Sequence, residues 1–248
     1  MEKFLVINDL HACIYLPETS PTEVVVGIHG FSGDKESSVL IELSKHLNKN
    51  GVALITFDLP CHGKNDNSKI LKLDECINSL KSVFKFTKST FKNIPISVFA
   101  TSFGGYLLLN YLSKSDELFK KAILRAPAIY MAEVLENVIL PFNKYSVQDL
   151  SSSINLGFEN PLFIDKNFLN DLQYNNLENA KITNNFLYVI QGKKDDIVDP
   201  EKNEKFFKTH YPNNHKFIWF EDADHRFKKP GELDRIIKET LSILNLSK

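Results

Sequence analysis

Short apolar segments alternate with helical apolar stripes along most of the chain. Segments that are rich in β-branched and other apolar residues, each with the length of a buried strand, lie at residues 24–29, 52–57, 94–100, 121–125, 186–190 and 216–221. Between them, apolar residues recur at helical spacing, as at Leu40, Leu43 and Leu47 before a stop at Gly51. The same spacing predicts helices over residues 73–84 and 233–244, and one that begins near Phe103. This alternation predicts an α/β fold with a mostly parallel central sheet and helices on both faces.

Residues 127–185 interrupt the alternation. This segment lacks strand-like runs, is rich in Asn, Ser, Phe and Leu, and has helical patterns at residues 131–140 and 163–177. A long insertion between two sheet strands is typical of a lid over a site, and surface decoration without a role is the alternative. We therefore predict that residues 129–184 form a cap or lid.

Composition argues against several classes of protein. The 248 residues carry 30 Lys+Arg and 31 Asp+Glu, a formal charge of −1, so no basic excess favours nucleic acid as a partner. Three Cys without a CxxC pair argue against a disulfide scaffold and against a zinc site. No apolar run has the length of a signal-peptide core or a membrane span. The expectation is a cytoplasmic protein that binds neither metal nor nucleic acid.

The first candidate for chemistry is Ser102, in the segment Ala-Thr-Ser-Phe-Gly-Gly at residues 100–105. A tight turn from strand to helix requires small residues beside its apex, which Ala100, Gly104 and Gly105 provide. Ser102 would then present its hydroxyl at the start of a helix, where free N–H groups stabilise negative charge. The segment predicts a nucleophilic serine, and a Gly-rich turn with an incidental serine is the alternative.

Two later segments place an acid and a base after strands. Gln191-Gly-Lys-Lys-Asp195-Asp carries neighbouring carboxylates, and Glu221-Asp-Ala-Asp-His225 carries a histidine. Because the reactive groups of such sheets collect at the carboxyl ends of the strands, Ser102, an Asp near position 195 and His225 are expected to meet, in the order Ser, Asp, His. Since these residues span most of the sequence, residues 1–248 are predicted to form a single catalytic domain.

The loop after the first strong strand, His29-Gly-Phe-Ser-Gly33, is a candidate half of an oxyanion hole. A backbone N–H from this loop, expected from Phe31, would act together with the amide of Phe103. His29 is a competing candidate for the base, but a histidine at a strand end before glycine is more often a loop brace. His62 is expected to brace its loop in the same way.

With these motifs the chain resembles the α/β-hydrolases. The resemblance is closer to small bacterial carboxylesterases, cinnamoyl (feruloyl) esterases and monoacylglycerol lipases than to peptidases, and it covers nearly the whole chain apart from the insertion. It implies that the acid is Asp195, with Asp196 as the adjacent alternative, and that the insertion is the cap of the family. The motifs that carry it are His29-Gly-Phe, Asp58-Leu-Pro-Cys-His-Gly63, Thr101-Ser-Phe-Gly-Gly105, Gly192-Lys-Lys-Asp195 and Asp224-His225-Arg-Phe.

Two residues depart from the family pattern. Ala100 replaces the usual Gly two residues before the serine, and its small methyl group should still allow the turn. Cys61 stands where the family often has Gly, and a positive φ there would strain a cysteine. We therefore expect either a different loop or a position that accepts a negative φ.

The resemblance implies a serine hydrolase that needs no cofactor. Ser102, His225 and Asp195 would cleave a small to medium acyl or aryl, cinnamoyl-like ester through an acyl-enzyme, with Phe31, Phe103 and aromatic residues of the insertion forming an apolar pocket.

Two other functions stay open. The same triad could cleave amide or peptide bonds, with Glu133 or Glu136 recognising a peptide terminus, although acids on a lid helix are more often a solvated face. The fold could also serve as a ligand receptor without catalysis. The expected partner is a small-molecule ester, and apolar lid residues could contact a second copy in a homodimer or pack onto the domain beneath.

Overall fold

The computed structural model describes residues 1–156, 160–181 and 183–247. Ten strands are assigned in this part of the chain. In chain order they are β1 (Glu2–Ile7), β2 (Leu10–Tyr15), β3 (Glu23–Ile28), β4 (Val52–Phe57), β5 (Ile96–Thr101), β6 (Ala122–Arg125), β7 (Ile154–Asn155), β8 (Phe163–Ile164), β9 (Leu187–Gly192) and β10 (His215–Phe220). All six strands predicted from the apolar runs are present, with ends that differ by at most a few residues.

Eight strands form the central sheet, in the order β1-β2-β4-β3-β5-β6-β9-β10. The six strands from β4 to β10 in this order run parallel to one another. β2 pairs antiparallel with β4, and β1 pairs antiparallel with β2 at the edge of the sheet. The chain therefore has the mostly parallel sheet that the alternation of strands and helices predicts.

Helices cover both faces of this sheet, as predicted. They are α1 (Ser38–Lys49), α2 (Leu73–Thr90), α3 (Phe103–Ser113), α4 (Met131–Val134), α5 (Leu140–Phe142), α6 (Lys166–Tyr174), α7 (Pro200–His210) and α8 (Glu232–Ile243). Leucines and isoleucines of α1 and α8 pack into one apolar cluster. Apolar side chains of α2, α3 and α7 belong to a second cluster, together with the apolar residues of the insertion. The amphipathic helices α1, α2 and α8 thus bury their apolar stripes against the sheet.

The insertion between β6 and β9 contains more than the two predicted helices. α4 continues as a short π-helix, Leu135–Ile139, into α5, so the helical pattern at residues 131–140 is confirmed. The pattern at residues 163–177 is partly wrong, because β8 comes first and α6 ends at Tyr174. β7 and β8 pair as a small antiparallel sheet, so the expectation of a segment without strands is also wrong.

Two further elements were not predicted. β1 and β2 form a hairpin around Asn8 and Asp9, both at positive φ, a conformation that Asn and Asp adopt in two-residue turns. α7 has few apolar residues, but it begins with Asp199 and Pro200, and the Asp199 carboxylate accepts from the N–H groups of Glu201 and Lys202.

The described residues contain no helix with the length and apolar character needed to cross a bilayer. Within the same ranges, no group of three or more His, Cys, Asp or Glu side chains is arranged to bind a metal ion. Cys13, Cys61 and Cys76 are buried free thiols.

Candidate active site

Ser102 occupies the single residue between β5 and α3. Its φ of 50° and ψ of −113° lie in a region that non-glycine residues rarely adopt. Two backbone hydrogen bonds hold this turn: the N–H of Ser102 donates to Arg125 O at 2.9 Å, and the N–H of Ala128 donates to Ser102 O at 3.1 Å. The tight turn expected from the sequence is therefore present.

The small residues beside Ser102 allow α3 to pack directly on the sheet. A Cβ on Gly104 would lie 2.5 Å from the carbonyl oxygen of His29, which is closer than a side chain tolerates. Ala100 is fully buried within β5, and the turn forms with its methyl group in place. The departure at this position from the family pattern is therefore accommodated.

Three side chains from distant parts of the chain meet at the carboxyl edge of the sheet. The Nε2 atom of His225 lies 3.0 Å from the Oγ atom of Ser102. On the other side of the imidazole, Nδ1 lies 3.0 Å from Oδ1 and 2.9 Å from Oδ2 of Asp195. The side chain of Asp195 is fully buried, whereas that of His225 is 13% exposed. Ser102, His225 and Asp195 thus form one continuous hydrogen-bonded row.

The Asp195 carboxylate receives hydrogen bonds from several donors besides the imidazole. The backbone N–H groups of Ile197 and Val198 donate to Oδ1 at 3.0 and 2.8 Å, and Nε2 of Gln191 donates to Oδ2 at 2.8 Å. A buried carboxylate is costly unless donors surround it, and these bonds stabilise its ionised form. The carboxylate is therefore suited to pair with a positive charge on His225.

Asp196 is placed differently. It is exposed, and its carboxylate accepts from the backbone N–H of His225 at 3.4 Å. Of the two neighbouring acids, Asp195 is the one whose carboxylate is bonded to the imidazole. The geometry favours Asp195 over the alternative that the sequence left open.

The loop after β3 passes beside Ser102. A Cβ on Gly30 would lie 3.4 Å from the Cβ of Ser102, and the ring of Phe31 packs edge-on against Phe103, 5.5 Å between centroids. As the first residue of α3, Phe103 has a backbone N–H without an acceptor inside the helix. The structure thus brings together the two segments that were expected to supply backbone donors.

His29 and His62 bond to backbone groups of the loops beside the site. Nδ1 of His29 lies 2.7 Å from Gly30 O, and its Nε2 accepts from the N–H of Leu59 at 3.0 Å. Burial lowers the pKa of His29 to about 4. Nδ1 of His62 lies 2.8 Å from Pro60 O, and burial, assisted by the neighbouring His29, lowers the pKa of His62 to about 3. Both contacts agree with the interpretation of these histidines as loop braces.

Cys61 corrects an expectation. The sequence predicted that cysteine here would require a different loop or a negative φ, but Cys61 has a φ of 60°. Its thiol is buried, and Sγ lies 3.5 Å from Lys69 O. Burial raises the pKa of the Cys61 thiol to about 11, so it is protonated near neutral pH and is a poor nucleophile. The loop accepts the backbone strain instead of avoiding it.

A buried ion pair beside the site was not found from the sequence. The Asp58 carboxylate accepts from the backbone N–H of Lys35 at 2.8 Å, from its Nζ at 2.9 Å, and from the N–H of Lys64 at 2.9 Å. The side chains of Asp58 and Lys35 are 0% and 2% exposed. This pair connects the segment after the Phe31 loop with the loop after β4. Its only signal in the sequence is an acid directly after a strand.

The insertion contacts both candidate donor segments. Phe168 of α6 is buried, and its ring lies 6.3 Å from that of Phe31 and 6.4 Å from that of Phe103. A cleft of about 210 Å³ lies between α3, α4 and α6, and its lining includes Tyr106, Ile129, Met131 and Leu172. The insertion therefore packs beside the site and encloses a partly apolar space.

The strand order and the serine at the turn after β5 define the class of this protein: it is a serine hydrolase with the α/β-hydrolase fold. The family model described as serine aminopeptidase, S33 (Hydrolase_4) matches residues 19–188, and the chain belongs to this family. A comparison with curated protein sequences finds no match.

Solved structures share the fold at low sequence identity. Est1E from Butyrivibrio proteoclasticus with bound ferulic acid has a TM-score of 0.80 and 17% identity, and the match covers 98% of each chain. Mouse alpha/beta hydrolase domain-containing protein 10 has a TM-score of 0.77 and 16% identity, over 99% of this chain and 98% of that one. A soluble variant of monoglyceride lipase from Saccharomyces cerevisiae, in complex with a substrate analog, has a TM-score of 0.76 and 16% identity, over 99% and 96%. These likenesses concern the fold.

Proposed function

We propose that this hydrolase cleaves carboxylic esters with Ser102 as nucleophile, His225 as general base and Asp195 as the acid that orients it. The observation that carries the proposal is the distance of 3.0 Å between Ser102 Oγ and His225 Nε2, together with the bonds from Nδ1 to Asp195. A nucleophile within hydrogen-bond reach of a base, which a third group orients, is the arrangement that acyl transfer requires.

Each proton has a place in this reaction. Ser102 Oγ attacks the acyl carbonyl carbon while its proton passes to Nε2 of His225, and Asp195 stabilises the imidazolium that forms. When the tetrahedral intermediate collapses, the bond to the alcohol oxygen breaks and His225 returns the proton to that oxygen. Water then attacks the acyl carbon while one of its protons passes to the same imidazole. When the bond between the acyl carbon and Ser102 Oγ breaks, His225 returns this proton to Oγ and the carboxylic acid is released.

The negative oxygen of the intermediate would be bound by backbone N–H groups of Phe31 and Phe103. Phe103 offers the first N–H of α3, and the loop of Phe31 packs beside Ser102. Each donor of an oxyanion hole contributes about 3 kcal/mol to the lowering of the barrier. The helix N-terminus adds a favourable partial charge at the same position.

For the substrate, we infer an ester with a small to medium acyl or aryl group, of which a cinnamoyl group is one example. Residues 129–184 act as the cap in this proposal, and Phe168, Phe31 and Phe103 supply an apolar, aromatic wall. Est1E, whose fold is similar, binds ferulic acid, which supports an aryl ester as the first substrate to test.

Amide cleavage is the second candidate, because the matching family is described as serine aminopeptidase. The two acids considered for binding a peptide terminus are engaged elsewhere: Glu133 forms a 2.5 Å ion pair with Lys202, and Glu136 accepts from Gln173 at 2.8 Å. A carboxylate that is already paired with a cation offers less attraction to a substrate ammonium group. This supports the ester over the amide.

The nucleophile is tested with a fluorophosphonate and intact-mass measurement. Wild type should gain one phosphonyl adduct, and Ser102→Ala, with an unchanged circular dichroism spectrum, should gain none. If wild type is not labelled, the assignment of Ser102 is wrong and a receptor without catalysis becomes the better interpretation. If Ser102→Ala is labelled equally, the assignment is wrong because another residue is the nucleophile.

The bond is tested with pairs of substrates that share one acyl group. Esters and anilides of acetic, butyric and cinnamic acids, together with aminoacyl anilides, should show higher kcat/KM for the ester in each pair. Faster turnover of the aminoacyl anilides would overturn the ester proposal while leaving the triad intact.

A further inference from the structure

Two buried amide side chains stand behind the Asp195 carboxylate. Gln191, near the end of β9, and Asn203, in α7, are both 0% exposed. Nε2 of Gln191 donates to Asp195 Oδ2 at 2.8 Å, and Nδ2 of Asn203 donates to Gln191 Oε1 at 3.1 Å. Nδ2 of Asn203 also donates to the carbonyl oxygen of Pro127 at 2.8 Å. These bonds extend the row of Ser102, His225 and Asp195 by two residues into the core.

The hydrogen bonds between Asn203, Gln191 and Asp195 can have only one donor-to-acceptor direction. The carbonyl of Pro127 accepts hydrogen bonds and cannot donate, so it requires the NH₂ group of Asn203 on its side. That NH₂ group then fixes Oε1 of Gln191 towards Asn203 and leaves Nε2 for the carboxylate. The Oδ1 atom of Asn203 is buried without a hydrogen-bond partner among the residues that the structure describes. The fold tolerates this cost and keeps the donor where Gln191 needs it.

We propose that Gln191 and Asn203 are positioning residues for the general base, an inference that rests on the proposed function of Ser102, His225 and Asp195. The Gln191 donor holds the carboxylate in the orientation in which both oxygens face Nδ1 of His225. It also takes up part of the negative charge of Asp195, which weakens the attraction of the carboxylate for an imidazolium. Asn203 acts on Asp195 through Gln191, and its second bond holds the carbonyl of Pro127 after β6.

The other charged groups near the carboxylate are not themselves substituted in the variants of these two amides. The Arg125 guanidinium, whose pKa burial lowers to about 10, interacts favourably with Asp195 and Asp224. Asp196 is bonded to the backbone N–H of His225. Because these groups stay the same in every variant, a shift in the pH profile reports the loss of the amide donor.

The first variant is Gln191→Met, which keeps the length of the side chain and removes both polar atoms. We expect kcat for an ester to fall about tenfold while KM changes by less than about twofold, because the base and not the substrate is affected. Since the carboxylate is then less neutralised, the imidazolium is favoured and the acid limb of the kcat/KM profile should move up by about half a pH unit. A residue with only a structural role would not move this limb.

The second variant is Asn203→Leu, with Asn203→Ser in its place if the leucine variant does not fold. Alone it should lower kcat and move the limb in the same direction by a smaller amount. In the double variant with Gln191→Met, it should add nothing to the shift of the acid limb, because Gln191 is the residue that connects the Asn203 side chain to Asp195. Additive shifts of the limb in the double variant would overturn the relay.

Asn185→Leu is the matched control. Asn185 is a buried asparagine just before β9, bonded to the backbone groups of Phe119 and Glu117 far from the carboxyl edge. Like Asn203→Leu, this variant loses buried hydrogen bonds, so its free energy of unfolding should fall. Its kcat and the acid limb of its kcat/KM profile should stay unchanged. If the control moves the limb as far as Gln191→Met does, the positioning role is wrong.

Fluorophosphonate labelling distinguishes a failure of the proposed function from a failure of the positioning role of Gln191 and Asn203. A wild type that is not labelled at Ser102 overturns the proposed function and this inference with it. A wild type that is labelled, beside a Gln191→Met variant with the same labelling rate and the same acid limb, overturns the inference alone.

Discussion

The replacement of Asp195 by Asn keeps the shape of the side chain and tests which atom holds His225. The Oδ1 position receives the N–H groups of Ile197 and Val198, so the amide oxygen of Asn must occupy it. The NH₂ group then takes the Oδ2 position, 2.8 Å from Nε2 of Gln191 and 2.9 Å from Nδ1 of His225. Two donors now face each other, and the new NH₂ group needs an acceptor.

Nδ1 of His225 also lies 3.0 Å from the Oδ1 position, but the amide oxygen there already accepts from two backbone N–H groups. We therefore expect His225 to supply the missing acceptor by changing its tautomer. When Nδ1 accepts, the ring proton moves to Nε2, which faces Ser102 Oγ at 3.0 Å and can no longer take the hydroxyl proton. The loss of a correctly oriented base costs about 10³ to 10⁴ in kcat, or roughly 4 to 5.5 kcal/mol of transition-state stabilisation. The opposed donors of Gln191 and the new amide should lower the free energy of unfolding by about 1 to 3 kcal/mol.

The assay is kcat and KM for an activated ester, with urea unfolding of the same preparations. Asp196→Asn is the control, because Asp196 is exposed and its carboxylate bonds the backbone of His225 instead of the ring. We expect this control to stay within about twofold of wild type. The reasoning is refuted if Asp195→Asn keeps more than about a tenth of wild-type kcat, or if Asp196→Asn loses as much.

Three further predictions concern the surroundings of the site. Gly104→Ala should lose hydrolase activity and about 2 to 3 kcal/mol of stability in urea unfolding, because its Cβ would lie 2.5 Å from the backbone oxygen of His29, which cannot rotate away. The pKa of His62 is about 3 in the folded chain and about 6.5 in the unfolded chain, so protonation of the unfolded chain lowers the free energy of unfolding as the pH drops below 6.5. His62→Gln should therefore lose about 2 kcal/mol less unfolding free energy than wild type between pH 7 and pH 5. Equal losses in the two proteins would contradict this. Phe168→Leu removes the ring contacts to Phe31 and Phe103, so kcat for short esters should fall about threefold and Tm by a few degrees. An unchanged kcat would show that the insertion does not help to position the Phe31 loop.

The parallel strands and the serine turn could be predicted because their causes are local. β3 and β4 are continuous buried runs in which every residue is buried, so periodicity alone shows them. Ser102 lies between a strand and two glycines, and the need for small residues beside the turn is visible in the sequence. The order of Ser102, Asp195 and His225 then predicts that they meet, because parallel strands bring their carboxyl ends to one edge.

The missed elements carry a different kind of signal. α7 packs mainly through Phe206 and Phe207, too few apolar residues for a helical stripe, and Asp199 with Pro200 is the remaining evidence of its start. Inside the insertion, β8 pairs with β7 across several intervening residues, so its extended form depends on a partner and not on its own pattern. Periodicity is least informative where an element is short and its partner decides its conformation.

The buried polar residues around the site could not be predicted because their hydrogen bonds join different helices, strands and loops. Lys35 and Asp58 are far apart in sequence, as are Asn203 and Pro127, and each is an ordinary polar residue in its own segment. What makes them important is burial, since a polar group that is removed from water must find a partner, and the partner is chosen by the fold. The reactive groups follow strand ends, whereas their supports follow the packing of helices on the sheet.

Backbone strain is concentrated where the loops of the site leave the sheet. Ser32, Cys61, Ser102, Ala126 and Phe227 are non-glycine residues at positive φ, and they follow β3, β4, β5, β6 and β10 in turn. Each such residue costs about 1 to 3 kcal/mol, so five of the six parallel strands are followed by a strained turn. Tight turns are needed because side chains from separate loops must come within hydrogen-bond distance above one edge. The buried bonds of Asp58, Asp195 and the two histidine braces involve residues of these loops and offset part of this strain. Their loss should therefore affect activity before it unfolds the chain.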